Sequence, residues 1–244
     1  MANKLCIFSY NTRGFSAQKQ LVCQKLVTIA SNKIPIICTQ ETFILRSNSY
    51  KINKALPNFH IVFKAAKKDT FDKGRPKNGM FIALPSKYKE QVTDISPDYW
   101  RVQAVTINCG NARILLINSY FPVDSRNLDF NDNELLETIA SILSVIDNND
   151  FSDLIWCGDI NADFIRATGH VQKVTDFVND LKLTKAWDFF EADLTCVHEI
   201  NDITYLSKID HFFWNSDVTT YIEDCGVLNI LENDSDHLPI YTAQ

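Results

Sequence analysis

Six polar clusters interrupt apolar runs along this chain, and their residue types are those that handle phosphate. Asn11 follows the apolar run 5–10. Gln40 and Glu41 follow 34–39, Tyr120 follows 114–119, and Asp159 and Asn161 follow 154–158. Asp210 opens the run 209–214, and Asp236 and His237 come shortly after 228–231. Carboxylate oxygens are hard ligands suited to Mg²⁺ or Mn²⁺. Neutral donors such as Asn and Tyr orient a phosphate, and a histidine beside an aspartate is fixed in tautomer and carries charge or a proton. Taken singly, each residue has an ordinary explanation: a solvated carboxylate, a turn former at Asp159-Ile-Asn161, a half-buried tyrosine. Together they point to metal-assisted phosphoryl chemistry.

Such clusters meet only if the elements carrying them end at one rim. Period-2 or continuous apolar patterning predicts strands over 5–10, 34–39, 60–63, 79–84, 101–107, 113–119, 154–157, 209–214 and 228–231. Helical spacing predicts helices over 16–31, with Ser16 as N-cap, and over 131–147 and 171–181. Strands and helices do not alternate strictly. The expectation is therefore a mixed sandwich with helices packed outside it, of α/β (α+β) class. Strands of a sandwich end together, so side chains distant in sequence can converge there. Asp210 joins the same rim if its strand runs antiparallel.

The 244 residues are 45% hydrophobic and 22% charged, enough for a folded core in one unit spanning 1–244. The net charge of −6 counts against broad phosphate binding, but recognition depends on local fields more than on the total. Seven cysteines, an odd number with no CxxC spacing, argue against a disulfide framework and against the common zinc motifs. Cys6, Cys38, Cys109 and Cys157 lie in apolar runs and read as reduced core thiols, which places the protein inside a cell. No signal peptide precedes the first strand, and no apolar run approaches the ~20 residues of a membrane span.

The ordered set Asn11, Gln40-Glu41-Thr42, Asn118-Ser-Tyr120, Gly158-Asp159-Ile-Asn161, Ile209-Asp210-His and Ser235-Asp236-His237-Leu-Pro resembles the endonuclease/exonuclease/phosphatase superfamily. The resemblance runs from residue 5 to 240. Within that superfamily the chain looks most like the apurinic-endonuclease-like endonuclease domains of non-LTR (LINE-type) retrotransposons. Tyr10-Asn-Thr-Arg-Gly14, Asn78-Gly79, Leu183-Thr-Lys-Ala-Trp187-Asp188 and Ser207-Lys-Ile-Asp210 carry that likeness. The resemblance implies a DNase-like four-layer sandwich of two mixed β-sheets flanked by helices. It also implies a position at the front of a longer polyprotein with a reverse transcriptase behind, and a nuclear location in a eukaryotic host.

By the same resemblance, Glu41 is the main metal ligand, helped by Asn11 and Asp236, with Mg²⁺ as the cofactor and Mn²⁺ as a substitute. Asp159 orients or deprotonates the attacking water, Asn161 holds that water or a phosphate oxygen, and Tyr120 donates to the phosphate. His237, paired with Asp210, stabilises the phosphorane or acts as acid or base. DNA is the expected partner, nicked to leave 3′-hydroxyl and 5′-phosphate ends. Arg13, Arg126, Thr195, Ser207 and Ser235 are expected to touch substrate. The stretch 64–77, with six positive and two negative residues, is expected to form a loop near the DNA, and loops 43–54 and 191–205 to select the target sequence.

The chain departs from the family's pattern in four places. Arg13 stands where apurinic endonucleases carry an aspartate, which counts against abasic-site repair. Cys196 and His211 replace commoner aromatics, and Val123 an asparagine. Two rival readings are a phosphatase or phosphodiesterase of the same architecture and an inactive DNA-binding relic. The 208–211 segment lacks the arginine block of inositol phosphatases, and every carboxylate that decay would remove first is present. Arg13→Ala is expected to weaken DNA binding and to flatten its salt dependence; equal affinity at several salt concentrations would take Arg13 off the binding surface.

Overall fold

The computed structural model describes residues 4–68, 74–124, 128–166, 168–191 and 194–244. In chain order these form β1 (Leu5–Asn11), α1 (Ala17–Ile29), β2 (Ile34–Gln40), α2 (Tyr50–Ala55), β3 (Phe59–Lys64), β4 (Met80–Pro85), β5 (Val92–Asp94), β6 (Val102–Cys109) and β7 (Ala112–Tyr120). There follow α3 (Leu128–Asp147), β8 (Asp153–Asp159), α4 (Gly169–Asp180), β9 (Thr184–Lys185), β10 (Cys196–Ile200), β11 (Ile203–Ser207), β12 (Asp210–Trp214), α5 (Ser216–Thr219), β13 (Asp224–Val227) and β14 (Ile240–Ala243).

Two six-stranded mixed sheets make the centre, in the orders β13-β14-β1-β2-β4-β3 and β5-β6-β7-β8-β12-β9. Strand alternation sorts the side chains into layers. Leu5 and Ile7 of β1 and Ile36 and Cys38 of β2 face Leu116, Ile155, Cys157 and Phe212 of the second sheet. The intervening residues point outward. Cys6, Phe8 and Ile37 pack under Val22 and Leu26 of α1 and Ile52 of α2. Leu115, Trp156 and Phe213 pack under Ile142 of α3 and Val174 and Phe177 of α4. The result is the expected four-layer sandwich. Ser16 caps α1 as its position suggests, its Oγ accepting from Lys19 N.

The strand expected over 228–231 does not form. β13 lies just before it and pairs with β14 as far as Val227 opposite Ile240. Leu228 N still donates to Pro239 O, but Pro239 has no N–H to return, so the ladder ends and the chain turns, Asn233 N closing on Ile230 O. The apolar residues still divide as usual: Ile230 enters the outer core, while Leu231 is 95% exposed. Part of the segment 43–54, read as a loop, is α2, and much of 191–205 is the two-stranded hairpin β10–β11.

The parallel pairing of β7 with β8 brings Ser119 opposite Gly158. Gly158 has φ +148°, and a Cβ there would stand 1.9 Å from Ser119 O. The neighbour is backbone in the middle of a sheet and cannot step aside. Gly158→Ala is therefore expected to destabilise the protein by about 3 kcal/mol or more, measured as a fall in the urea midpoint at unchanged slope.

Candidate active site

Strand direction decides where each polar cluster lands. β1 and β2 run parallel, so Asn11 and Gln40-Glu41 leave from the same edge of the first sheet. β7 and β8 run parallel, so Tyr120 and Asp159 leave side by side from the second. β12 runs antiparallel to β8 and places Asp210 directly opposite Asp159. β14 runs antiparallel to β1, so Asp236 and His237, just before it, arrive at the rim where β1 ends. All six clusters meet at one end of the sandwich.

The contacts there are continuous. Asn11 Nδ2 donates to Asp159 Oδ2 at 2.8 Å and to Glu41 Oε2 at 3.1 Å. Asp159 Oδ1 accepts from Asn161 N at 3.1 Å, and Asn161 Nδ2 donates to Phe121 O at 2.9 Å. His237 Nδ1 lies 2.9 Å from Asp210 Oδ2, and its Nε2 is 3.8 Å from Asp159 Oδ2. Below this floor, Gln40 Nε2 donates to Asn118 Oδ1 at 2.6 Å and Asn118 Nδ2 to Thr39 O at 3.1 Å, tying the two sheets together.

Burial sets the electrostatics. It pushes the Asp159 carboxyl up to about 7; the His237 charge opposes this and the Asp210 charge adds to it. Burial alone would strip the proton from His237, but Asp210 and Asp159 outweigh it and hold the imidazole well above its ordinary range, as imidazolium. The Tyr120 phenol is raised first by burial and then by the Glu41 and Asp159 charges, so it stays protonated as a donor.

Glu41 sits at φ +49°, flanked by Arg13 at +41° and Phe43 at +55°. Such values are uncommon outside glycine. They are imposed by a web of main-chain bonds: Gly14 N to Glu41 O at 2.7 Å, Thr42 N to Gly79 O at 2.9 Å and Phe43 N to Asn78 O at 2.8 Å. A Cβ at Gly79 would lie 2.6 Å from Thr42 Oγ1, which explains the glycine.

Hard oxygen donors for a divalent cation are present in Glu41 and Asp236. Asp236 Oδ2 takes Arg13 and His198, whereas its Oδ1 is buried without a hydrogen-bond partner. The Arg13 guanidinium pairs with Asp236 and also feels Glu41; burial works against its charge, and the two carboxylates outweigh it. Asn11 has its amide oxygen on Arg13 N at 3.0 Å, so in this arrangement it presents nitrogen, not oxygen, to Glu41. Among the described residues, two groups of three side chains lie close enough to share an ion: Asp159, Asp210 and His237, and Cys196, Asp236 and His237.

Three residues expected to meet substrate, Thr195, Ser207 and Ser235, make scaffold contacts, Ser207 through its main chain. Thr195 is fully buried, and its Oγ1 accepts from Ile209 N and Asp210 N, both at 3.0 Å, anchoring the start of β12. Ser235 Oγ donates to Asn11 O at 2.9 Å and accepts from His237 N at 3.3 Å. The Ser207 carbonyl accepts from Thr195 N. Lys64, counted with the basic stretch, ends β3 and donates to the carbonyls of Pro97, Tyr99 and Val102 at 2.6–2.8 Å, so it is spent within the fold. Arg126 lies outside the described residues, as do residues 69–73 of the basic stretch. Within that stretch Arg75 lies beside the rim, stacking on Phe43 and donating to Arg13 O. The sequence reading missed His198, which strand alternation would have placed on the same face as Cys196, and Arg101, held between Trp100 and Tyr120.

No protein-family model and no curated protein sequence matches this chain. Solved structures do. The AP endonuclease LMAP from Leishmania major superposes with a TM-score of 0.76 at 13% identity, over 99% of this chain and 88% of that one. The endonuclease domain of TRAS1, a telomere-specific non-LTR retrotransposon, gives 0.70 at 18% identity over 98% and 97%. The 3′ phosphatase NExo from Neisseria, bound to product DNA hairpin, gives 0.72 at 18% identity over 98% of each chain. At these identities the likeness is one of fold. These are the kinds of protein the motifs resemble, so the sandwich expected from sequence is the one observed.

The surroundings of His211 account for one departure from the pattern that the sequence resembles. It is buried against Phe164 and stacked on Phe213, with Nε2 on Ala162 O at 2.9 Å and Lys208 O at 3.0 Å. It does an aromatic's packing. Burial pushes its pKa down to about 4, although those carbonyls and Asp210 pull the other way. The unfolded chain takes up this proton near pH 6.5 and the folded chain only near 4. Stability is therefore lost as pH falls through that window. The unfolding free energy of wild type is expected to drop between pH 7 and 5 by roughly 2 kcal/mol more than that of His211→Phe; equal slopes would refute the assignment.

Proposed function

We propose that this protein is a divalent-metal-dependent DNA endonuclease that nicks one strand and leaves 3′-hydroxyl and 5′-phosphate ends. The observation that carries this reading is the convergence of Glu41, Asn11, Asp159, Asp210 and His237, from both sheets, into one bonded cluster at the rim. The similarity in fold to nucleases and a phosphatase that act on DNA supports the substrate class.

Glu41 and Asp236 would hold the cation, Mg²⁺ by their hard oxygen chemistry, with Mn²⁺ as a substitute. Bound there, it supplies charge for the scissile phosphate and the departing 3′ oxygen. Asn11 keeps the Glu41 and Asp159 carboxylates in register. Asp159 accepts the proton of the attacking water, which Asn161 helps position. His237, fixed through Nδ1 by Asp210, presents Nε2–H to a phosphate oxygen. Tyr120 donates its phenol proton to the same group. With Asp236 engaged in holding the cation, Arg13, its present partner, would be available to the DNA backbone.

The likeness to a retrotransposon endonuclease domain supports a finer reading: the nick would prime reverse transcription by a polymerase in the same polyprotein, in the nucleus of a eukaryotic host. No helix among the described residues is long and apolar enough to cross a membrane. The apurinic-endonuclease likeness makes abasic DNA the comparison substrate, with Arg13 weighing against it.

Supercoiled plasmid should be nicked in Mg²⁺ and spared in EDTA. Glu41→Ala and His237→Ala should each lower the rate by about 100-fold or more. Mapped cuts should carry 3′-hydroxyl and 5′-phosphate ends and show no need for an abasic site. Undiminished nicking by both variants would reject the assigned residues.

A further inference from the structure

Cys196 stands beside the proposed active site and has no part in the reaction. The first residues of β10 pair with the segment that delivers Asp236 and His237: Cys196 bridges to His237, Val197 N donates to Asp236 O at 2.7 Å, and Leu238 N donates to Thr195 O at 2.8 Å. Strand alternation turns Cys196 and His198 to the same side and Val197 to the other. Cys196, Asp236 and His237 each offer a ligand atom within 4.8 Å of the others. His198 Nδ1 lies 3.1 Å from Asp236 Oδ2. Asp236 Oδ2 is taken by Arg13 and His198, but its Oδ1 is buried with no hydrogen-bond partner, an acceptor still open to a ligand.

We propose that Cys196, His198, Asp236 and His237 form a second cation site, selective for thiophilic ions such as Zn²⁺, and that filling it silences the Mg²⁺-dependent reaction. One thiolate, two imidazoles and one carboxylate are the donors of a four-coordinate zinc centre. Mg²⁺ has no use for sulfur and prefers oxygen alone. His198, with 43% of its side chain exposed, offers the ion a route in from solvent and closes the shell by a side-chain rotation. Binding transfers no electrons; the thiol and imidazolium protons pass to solvent as their lone pairs go to the ion. The inhibitory half rests on the proposed function, since the ion would withdraw Asp236 from the Mg²⁺ set and His237 from the phosphate.

The site can be read without activity. Co²⁺ added to the full chain should give a thiolate-to-cobalt charge-transfer band that saturates near one equivalent and is erased by Zn²⁺. The band should disappear in Cys196→Ser. It should need several-fold more Co²⁺ in His198→Ala, a half-exposed change that leaves the core intact. In plasmid nicking with Mg²⁺ in excess, Zn²⁺ should inhibit wild type, and Cys196→Ser should need roughly tenfold more Zn²⁺ or beyond for the same inhibition. No thiolate band on wild type, or an undiminished band in Cys196→Ser, overturns the site. Loss of the band with equal zinc inhibition of both proteins overturns its inhibitory role. Failure of wild type to nick plasmid in Mg²⁺ alone counts against the proposed function, while the cobalt band still decides the site.

Discussion

Asp159 and Asp210 are direct cross-strand partners in the β8–β12 ladder, and each is only 1% exposed. Two like charges adjacent in a protein interior drive one another toward the neutral acid. Here they are held by a third charge between them. His237 bonds Asp210 through one ring nitrogen and approaches Asp159 with the other. Asn11 and the Asn161 N–H also donate to Asp159, while Thr195 fixes the backbone at Asp210. Buried ion clusters are poor sources of stability, because desolvation consumes most of the attraction. The three apolar layers above and below must sustain the triad, which makes function the more economical explanation for its presence.

The same rim concentrates backbone strain. Arg13, Glu41, Phe43, Asn78 and Asn161 all adopt positive φ without being glycine. Each such residue costs on the order of 1 kcal/mol or more. None could persist alone. The ends of β1, β2 and β4 hydrogen-bond one another through Gly14, Thr42, Phe43 and Gly79, so the turns brace each other. Glu41 is thereby fixed by main chain before any ligand arrives, and a carboxylate already aimed loses no orientational freedom on binding.

Much of this was legible in the chain itself because strands have a period of 2 and an end. The runs leading to Asn11, Glu41, Tyr120 and Asp159 were recognisable as buried strands, and the polar residues stopping them had to lie at their edges. The antiparallel placement of Asp210 followed the same logic. Short-range signals failed where a single residue overrode the pattern. Pro239 ended a ladder that the apolar run 228–231 suggested, because a missing N–H outweighs hydrophobicity. Lys64 and Thr195 looked like surface groups by type. The burial of Thr195 and the carbonyls around the Lys64 ammonium depend on which loop folds over them, and nothing in local spacing encodes that.

The departures from the pattern that the sequence resembles divide by what surrounds them. His211 replaces an aromatic and still packs as one, its ring between Phe164 and Phe213, so the substitution leaves the layer beneath the site unchanged. Arg13, the other departure from the pattern that the sequence resembles, bears on the balance of charge instead. It pairs with Asp236 and lies within reach of the Glu41 charge, where an aspartate would add a further acid. An acid there would strengthen the hold on a divalent ion, whereas an arginine competes with it for the same carboxylates. Under the proposed function, half-maximal nicking should therefore need more Mg²⁺ in wild type than in Arg13→Asp, and equal half-maximal concentrations would place Arg13 outside the ion's surroundings.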